Sequence, residues 1–208
     1  MKIHSYILTY NREELLKLTN ESFTDYGLTP IILNDGSNYN INLPNVRTHI
    51  HRGKEEFYKT WVEIFEECKE VEADIYLFAP DDFINIDFKR IEEIAKSFDK
   101  PYVYNLINDG RNGMWTGIQP YNVNEDTIMC GMVDCGFFCN REALEAINFT
   151  FDKPIANQYS SGVGSALSNA FLRSRVVMYK PVSSLAWHGN HDSVMHYEER
   201  KRNPLISK

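Results

Sequence analysis

The chain has 208 residues, of which 43% are hydrophobic and 25% charged, and its formal net charge is -7. That length suits one compact domain, and the acidic balance argues against a protein that binds nucleic acid mainly through phosphates. No run of about 18 apolar residues occurs, and no signal-peptide core follows the first residues. The four cysteines form no C-x-x-C pair, so we expect small buried side chains in a reducing compartment. These features predict a cytoplasmic protein without a membrane span.

Apolar and amphipathic segments alternate along the chain, which is typical of an α/β fold. We predict strands at 3–9, 29–33, 46–50, 74–79 and 102–107, with helices from Asn11 as N-cap to about 23, at 54–71 and at 88–98. After an irregular segment at 108–124, strands follow at 128–133, 136–139, 176–179 and 184–187, with helices at 141–147 and after Gly164. We expect a single domain over 1–208, with a central, mostly parallel twisted sheet flanked by helices. Its half at 1–107 is regular, its half at 108–196 is more irregular, and 197–208 form a tail.

Three polar loops, at 9–12, 34–37 and 80–82, follow predicted strands. The carboxyl ends of parallel strands lie along one edge of an open sheet, where such sheets bind ligands. The sequence therefore predicts a binding site at this edge.

The adjacent carboxylates of Asp81 and Asp82 end a nearly all-apolar strand. Like charges so close together raise each other's pKa, and a divalent cation with a preference for oxygen ligands removes that cost. The alternative is that Asp82 caps the following helix and Asp81 is exposed. From this pair alone both interpretations remain open.

Three further residues carry alternative interpretations. Asp35, before Gly36 and Ser37, is either part of a plain turn or a carboxylate that bonds a ribose hydroxyl or a base edge. His188 either makes a structural hydrogen bond or supplies an imidazole to a metal. Asp134 is either a base or hydroxyl anchor in an apolar stretch, or an Asp at a turn or bulge.

In their order and spacing, these segments resemble the GT-A fold glycosyltransferases, especially those of family 2. The matching segments are Thr9-Tyr10-Asn11-Arg12, Ile32-Leu33-Asn34-Asp35-Gly36-Ser37, Arg52-Gly53-Lys54, Tyr76-Leu77-Phe78-Ala79-Pro80-Asp81-Asp82 and Gly136-Phe137-Phe138-Cys139-Asn140-Arg141-Glu142-Ala143-Leu144. The resemblance covers most of the chain, from Ile3 to about His196.

The resemblance implies a nucleotide-sugar donor, which we expect to be a UDP-sugar, bound mainly by the first two loops. The implied donor-binding residues are Thr9, Tyr10, Asn11, Arg12, Asp35, Gly36, Ser37 and Asp81. Asp82 would be the principal ligand of Mn²⁺ or Mg²⁺, and His188 fits the late metal-binding histidine of several branches.

Two departures from the family pattern bear on the mechanism. Pro80 stands where the first Asp of a D-x-D motif would be, and the stretch 158–165 lacks the E-D pair whose Asp acts as base in inverting members. Either the base lies elsewhere, with Asp134 as the best candidate, or the enzyme retains configuration and needs no such base.

Two other functions remain open: a nucleotidyltransferase with a similar sheet, and a catalytically degenerate module that binds nucleotide sugars. For a transferase, we expect the acceptor to be a glycan before a protein or a hydroxymethylated base in DNA. The basic cluster at 200–202 favours DNA, whereas the acidic net charge opposes it.

Overall fold

A computed structural model describes residues 1–111, 113, 116–134, 136–156 and 161–188. Its strands are β1 Ile3–Thr9, β2 Ile31–Asn34, β3 Val46–Thr48, β4 Ile75–Pro80, β5 Phe83–Ile84, β6 Tyr102–Asn105, β7 Tyr121–Asn122, β8 Thr127–Cys130, β9 Phe137–Asn140, β10 Val177–Pro181 and β11 Trp187–His188. Its helices are α1 Glu13–Asp25, α2 Gly53–Glu56, α3 Tyr58–Glu70, α4 Phe88–Ser97, α5 Arg141–Ala146 and α6 Val163–Arg173. The predicted tail and the basic cluster at 200–202 lie outside the described residues.

One large sheet organises the described part of the chain, in the order β3-β2-β1-β4-β9-β6-β10-β8-β7. The strands from β3 to β4 are parallel. β9 is antiparallel to both β4 and β6, while β10 is parallel to β6. β8 is antiparallel to both β10 and β7, so only β8 and β9 oppose the other strands. The expected α/β architecture with a mostly parallel sheet is therefore confirmed.

The sheet separates two apolar layers. On one face, the rings of Trp61, Phe78 and Phe137 contact one another within the core. On the other face, Leu77 and Phe138 belong to a second cluster, packed under α1 and α4. Residues 75–79 of β4 are all buried because this strand lies between the two layers, as its nearly continuous apolar sequence predicts.

Two predicted details of the helices are wrong. Asn11 does not cap α1: its backbone is left-handed with a φ of 54°, and Arg12 occupies the N-cap position. The Asn11 side chain instead accepts a hydrogen bond from the backbone N–H of Asn38, 2.8 Å away, and so binds the neighbouring loop rather than the start of the helix. The helix predicted at 54–71 is divided at Phe57 into α2 and α3.

A second, two-stranded sheet places the end of the described chain beside β4. β11 pairs antiparallel with β5, so that His188 lies opposite Phe83. Because Phe83 directly follows Asp82, this pairing brings His188 to the edge predicted to bind ligands. Within the described residues, no helix is both long and apolar enough to cross a membrane.

Candidate functional site

The two carboxylates that follow β4 are buried. Asp81 is 4% exposed and Asp82 is 2% exposed. The helix that comes next, α4, is capped by Asp87, whose side chain accepts a hydrogen bond from the Arg90 N–H. The alternative interpretation, with Asp82 as a helix cap and Asp81 in solvent, is therefore excluded.

Arg12 bridges this carboxylate pair. Its Nη1 lies 3.2 Å from Asp81 Oδ1 and 2.6 Å from Asp82 Oδ2. The Thr9 hydroxyl donates to Asp81 Oδ2 over 2.7 Å, and the Tyr10 N–H points to the same oxygen over 3.4 Å. Burial raises the pKa of Asp81 to about 7, with Asp82 acting in the same direction and Arg12 opposing both. The first and third predicted loops thus form one charged cluster.

His188 meets this cluster from β11. Its Nε2 lies 3.4 Å from Asp82 Oδ2, the same oxygen that Arg12 contacts. The Phe83 ring packs against the imidazole edge-to-face, with ring centroids 4.9 Å apart. The two residues predicted as metal ligands are therefore neighbours in the fold.

The chemistry of these groups fits a divalent cation. Mg²⁺ and Mn²⁺ bind carboxylate oxygens as ligands. Substrate phosphates and water, rather than further protein groups, usually complete their coordination. Within the described ranges, no three His, Cys, Asp or Glu side chains are grouped to hold a metal by themselves. Asp82 and His188 would thus supply only part of a coordination sphere that phosphates complete, and the cation would share Asp82 with Arg12.

The second loop encloses a buried carboxylate. Asp35 is 3% exposed, and both of its oxygens have partners. Oδ1 accepts a hydrogen bond from the Arg52 N–H over 3.1 Å, and Oδ2 lies 2.9 Å from His51 Nδ1. Gly36, with a φ of 75°, permits this approach, since a Cβ there would lie 2.5 Å from the His51 backbone nitrogen. Asp35 thus lies within a turn, and its carboxylate joins that turn to the loop that follows β3.

The first two loops are also fastened to each other. The Asn11 N–H donates to Ser37 Oγ over 2.8 Å. The Ser37 N–H in turn donates to Asn34 Oδ1 over 2.9 Å. The donor-binding residues predicted from these loops therefore lie along one connected rim.

Sequence reasoning missed His51 as part of this rim. Its imidazole stacks on the Tyr10 ring, with centroids 4.0 Å apart and planes 9° from parallel. The available signal was its position after β3, the fourth parallel strand whose carboxyl end reaches the same edge. By the same rule as for the other three loops, the loop after β3 is expected at this edge of the sheet.

Asp134 lies in the loop between β8 and β9 rather than inside an apolar strand. Its side chain is 32% exposed and pairs with the Arg111 guanidinium, while its N–H donates to Asn105 Oδ1 over 2.8 Å. The Asp134 carboxylate is therefore partly exposed and not enclosed in the core.

A second charged cluster, which the sequence analysis does not predict, surrounds Arg111. The guanidinium pairs with both Asp109 and Asp134. The Lys180 ammonium, on a residue that is 4% exposed, donates to the Arg111 carbonyl over 2.8 Å. This bond joins β10 to the segment 108–124.

No model of a known protein family matches the chain, and no curated protein matches it either. Among solved structures, glucosyl-3-phosphoglycerate synthase from Mycobacterium tuberculosis, in complex with Mn²⁺ and UDP-glucose, superposes with a TM-score of 0.56 at 15% identity. That match covers 92% of this chain and 72% of the synthase.

Two other solved structures give a similar result. The mannosyltransferase PcManGT from Pyrobaculum calidifontis, in complex with GDP-mannose and Mn²⁺, gives a TM-score of 0.51 at 11% identity over 83% of this chain and 51% of its own. TarS from S. aureus gives 0.53 at 14% identity over 86% of this chain and 36% of its own. The chain thus has the fold of GT-A glycosyltransferases, which confirms the fold that the sequence motifs predict.

Proposed function

We propose that this chain, which has the GT-A fold, is a metal-dependent glycosyltransferase that moves a sugar from a nucleoside-diphosphate sugar to an acceptor hydroxyl. The observation that carries the proposal is the buried pair Asp81 and Asp82 at the sheet edge, with Arg12 and His188 on the same oxygen of Asp82. Structurally similar proteins are solved with Mn²⁺ and either UDP-glucose or GDP-mannose. A UDP-sugar is the first donor to test.

In this proposal, the loops after β1 and β2 hold the nucleoside and the carboxylate pair orients the diphosphate. Asp82 and His188 would hold Mn²⁺ or Mg²⁺, which when bound stabilises negative charge on the departing diphosphate. Arg12 adds a fixed positive charge at the same place. Such preorganised charge is the largest source of rate enhancement in many enzymes.

The acceptor half of the proposal is the segment 108–196, with Asp134 near the hydroxyl that attacks. In an inverting reaction, Asp134 would take the hydroxyl proton as the sugar–phosphate bond breaks, a contribution of about a hundredfold or more. In a retaining reaction, no such base is required. A glycan acceptor ranks before a protein or a hydroxymethylated DNA base, and the segment 108–124 would form the acceptor wall or a lid.

The test is a hydrolysis screen of nucleotide sugars with Mn²⁺ that compares the wild type with Asp82→Asn. We expect turnover of at least one donor and a loss of about a hundredfold or more in Asp82→Asn. Asp152→Asn is the matched control, because Asp152 is exposed and, among the described residues, pairs only with the exposed Arg173. Nucleotide binding without turnover would indicate a degenerate binding module. The absence of both nucleotide binding and turnover would overturn the proposal.

A further inference from the structure

The loop after β3 presents an imidazole beside the proposed donor site. His51 stacks on Tyr10, which belongs to the loop after β1, and its side chain is 39% exposed. The ring therefore lies at the junction of two loops and is partly exposed to solvent. These features suit contact with a ligand better than a place in the core.

The contacts of His51 fix which ring nitrogen carries hydrogen. Nδ1 lies 2.9 Å from the Asp35 carboxylate oxygen Oδ2 and 3.2 Å from the Asp35 carbonyl oxygen. Both partners are acceptors, so Nδ1 carries the hydrogen and donates. In the neutral imidazole, Nε2 then carries the lone pair and is an acceptor. Among the described residues, no group hydrogen-bonds Nε2.

The same contacts occupy Asp35. Its Oδ1 accepts from the Arg52 N–H and its Oδ2 contacts His51, while the residue as a whole is 3% exposed. A buried carboxylate whose two oxygens are already engaged is poorly placed to meet a base directly. Asp35 would therefore act on a ligand indirectly, by fixing the orientation and tautomer of His51. Carboxylates that hydrogen-bond metal-binding histidines fix the imidazole in the same way.

We propose that His51 reads the base of the nucleotide, with Nε2 accepting a hydrogen bond from a ring N–H, and that Asp35 is its positioning residue. The favoured bases are those with a protonated ring nitrogen on the pairing edge, such as N3–H of uracil. Cytosine presents a lone pair at the same position, which would face the lone pair of Nε2. This inference rests on the proposed function and specifies the recognition of its donor.

The experiment measures binding of UDP and CDP to the wild type and to three variants by titration calorimetry with Mn²⁺ present. Binding of GDP and ADP to the wild type is measured in the same way. We expect the wild type to bind UDP about tenfold or more tightly than CDP, because CDP would place the cytosine lone pair against the lone pair of His51 Nε2 without a hydrogen bond. His51→Phe keeps a ring on Tyr10 and loses both nitrogens, so UDP and CDP should bind within about threefold of each other. His51→Asn can keep a donor to Asp35 without Nε2, so it should lose the preference while the loop stays in place.

His4→Gln is the control, since His4 lies near the opposite end of β1, and it should keep the preference for UDP. A purely structural role of His51 would weaken both nucleotides equally in His51→Phe and leave their ratio unchanged, which would overturn the inference. Equal affinity of the wild type for UDP and CDP would overturn it as well. If the wild type binds none of UDP, CDP, GDP and ADP, the proposed function itself fails.

Discussion

At the scale of single residues, Arg12 explains how two adjacent carboxylates can be buried. The side chains of Asp81 and Asp82 are 5% and 2% exposed, and that of Arg12 is 10% exposed. Burial of like charges without a partner would cost several kcal/mol per ion. The chain therefore supplies its own cation to the carboxylates that a metal ion would also use.

This arrangement predicts that Arg12→Ala destabilises the protein strongly. Removing one partner of a buried pair leaves an uncompensated charge, which costs about 3–5 kcal/mol. The free energy of unfolding in urea should fall by that amount. Mn²⁺ should recover part of the loss in the variant if it binds the same carboxylates, because a ligand of the folded state stabilises it by mass action.

Arg173→Ala is the matched control for this substitution. Arg173 pairs with Asp152, and both side chains are more than half exposed. An exposed pair contributes about 0–1 kcal/mol, so this variant should unfold near the wild-type midpoint. Equal losses in both variants would contradict the role given to Arg12.

At the scale of elements, close packing between β9 and the small sheet determines where His188 lies. Gly136 precedes β9, and a Cβ at this position would come within 2.2 Å of the Phe83 ring. Phe83 lies on β5, which pairs with β11, and its ring also packs against His188. A glycine far from His188 in the sequence thus leaves room for the phenylalanine ring that packs against the imidazole.

Gly136→Ala should therefore force the Phe83 ring out of place. Overpacking of this kind costs about 1–3 kcal/mol, and the lost stability should be partly restored in the double variant Gly136→Ala, Phe83→Leu. The measurement is a double-mutant cycle on the free energy of unfolding.

The control for this cycle is Gly27→Ala. Gly27 has a φ of 85°. Apart from its two chain neighbours, no described residue has an atom within 4 Å of the missing Cβ, so this substitution costs backbone strain without a clash. Its effect should add to that of Phe83→Leu without coupling. Additive behaviour of Gly136→Ala as well would show that the Phe83 contact is not what requires glycine.

At the scale of the whole molecule, the features that could be predicted from the sequence are the strands and turns, which depend on residues close together in the chain. Apolar stretches located β1, β2 and β4, and the turn residues after them marked the loops that carry Thr9, Asp35 and Asp82. These signals are local because side-chain periodicity and turn chemistry are set within a few residues. The rim of the candidate site could therefore be predicted in outline.

Long-range partnerships could not be predicted in the same way. The sequence of β9 resembles any short apolar strand, and nothing in it indicates that it lies antiparallel between β4 and β6. The pairing of His51 with Asp35 joins residues 16 positions apart, and that of Lys180 with Arg111 joins residues 69 apart. These contacts exist only because the sheet brings distant loops together.

The bond from Lys180 to Arg111 leads to a prediction for the acceptor half as a whole. Burial lowers the pKa of Lys180, while the Asp109 carboxylate acts in the opposite direction. A buried ammonium is costly unless it is paired and hydrogen-bonded, and the ammonium of Lys180 donates a hydrogen bond to the carbonyl of Arg111. That carbonyl belongs to the peptide bond that trypsin cleaves after an arginine.

Lys180→Met keeps most of the side-chain volume and removes this bond. A hydrogen bond with a charged donor contributes about 1.5–3 kcal/mol, so local opening of the segment and trypsin cleavage after Arg111 should become about tenfold faster or more. The rate is followed by mass spectrometry of the native protein under limiting trypsin. Lys89→Met, on the exposed surface of α4, should leave it unchanged. An unchanged rate in Lys180→Met would mean that other contacts, such as the bond from the Asn108 side chain to the Val182 carbonyl, are sufficient to hold the segment.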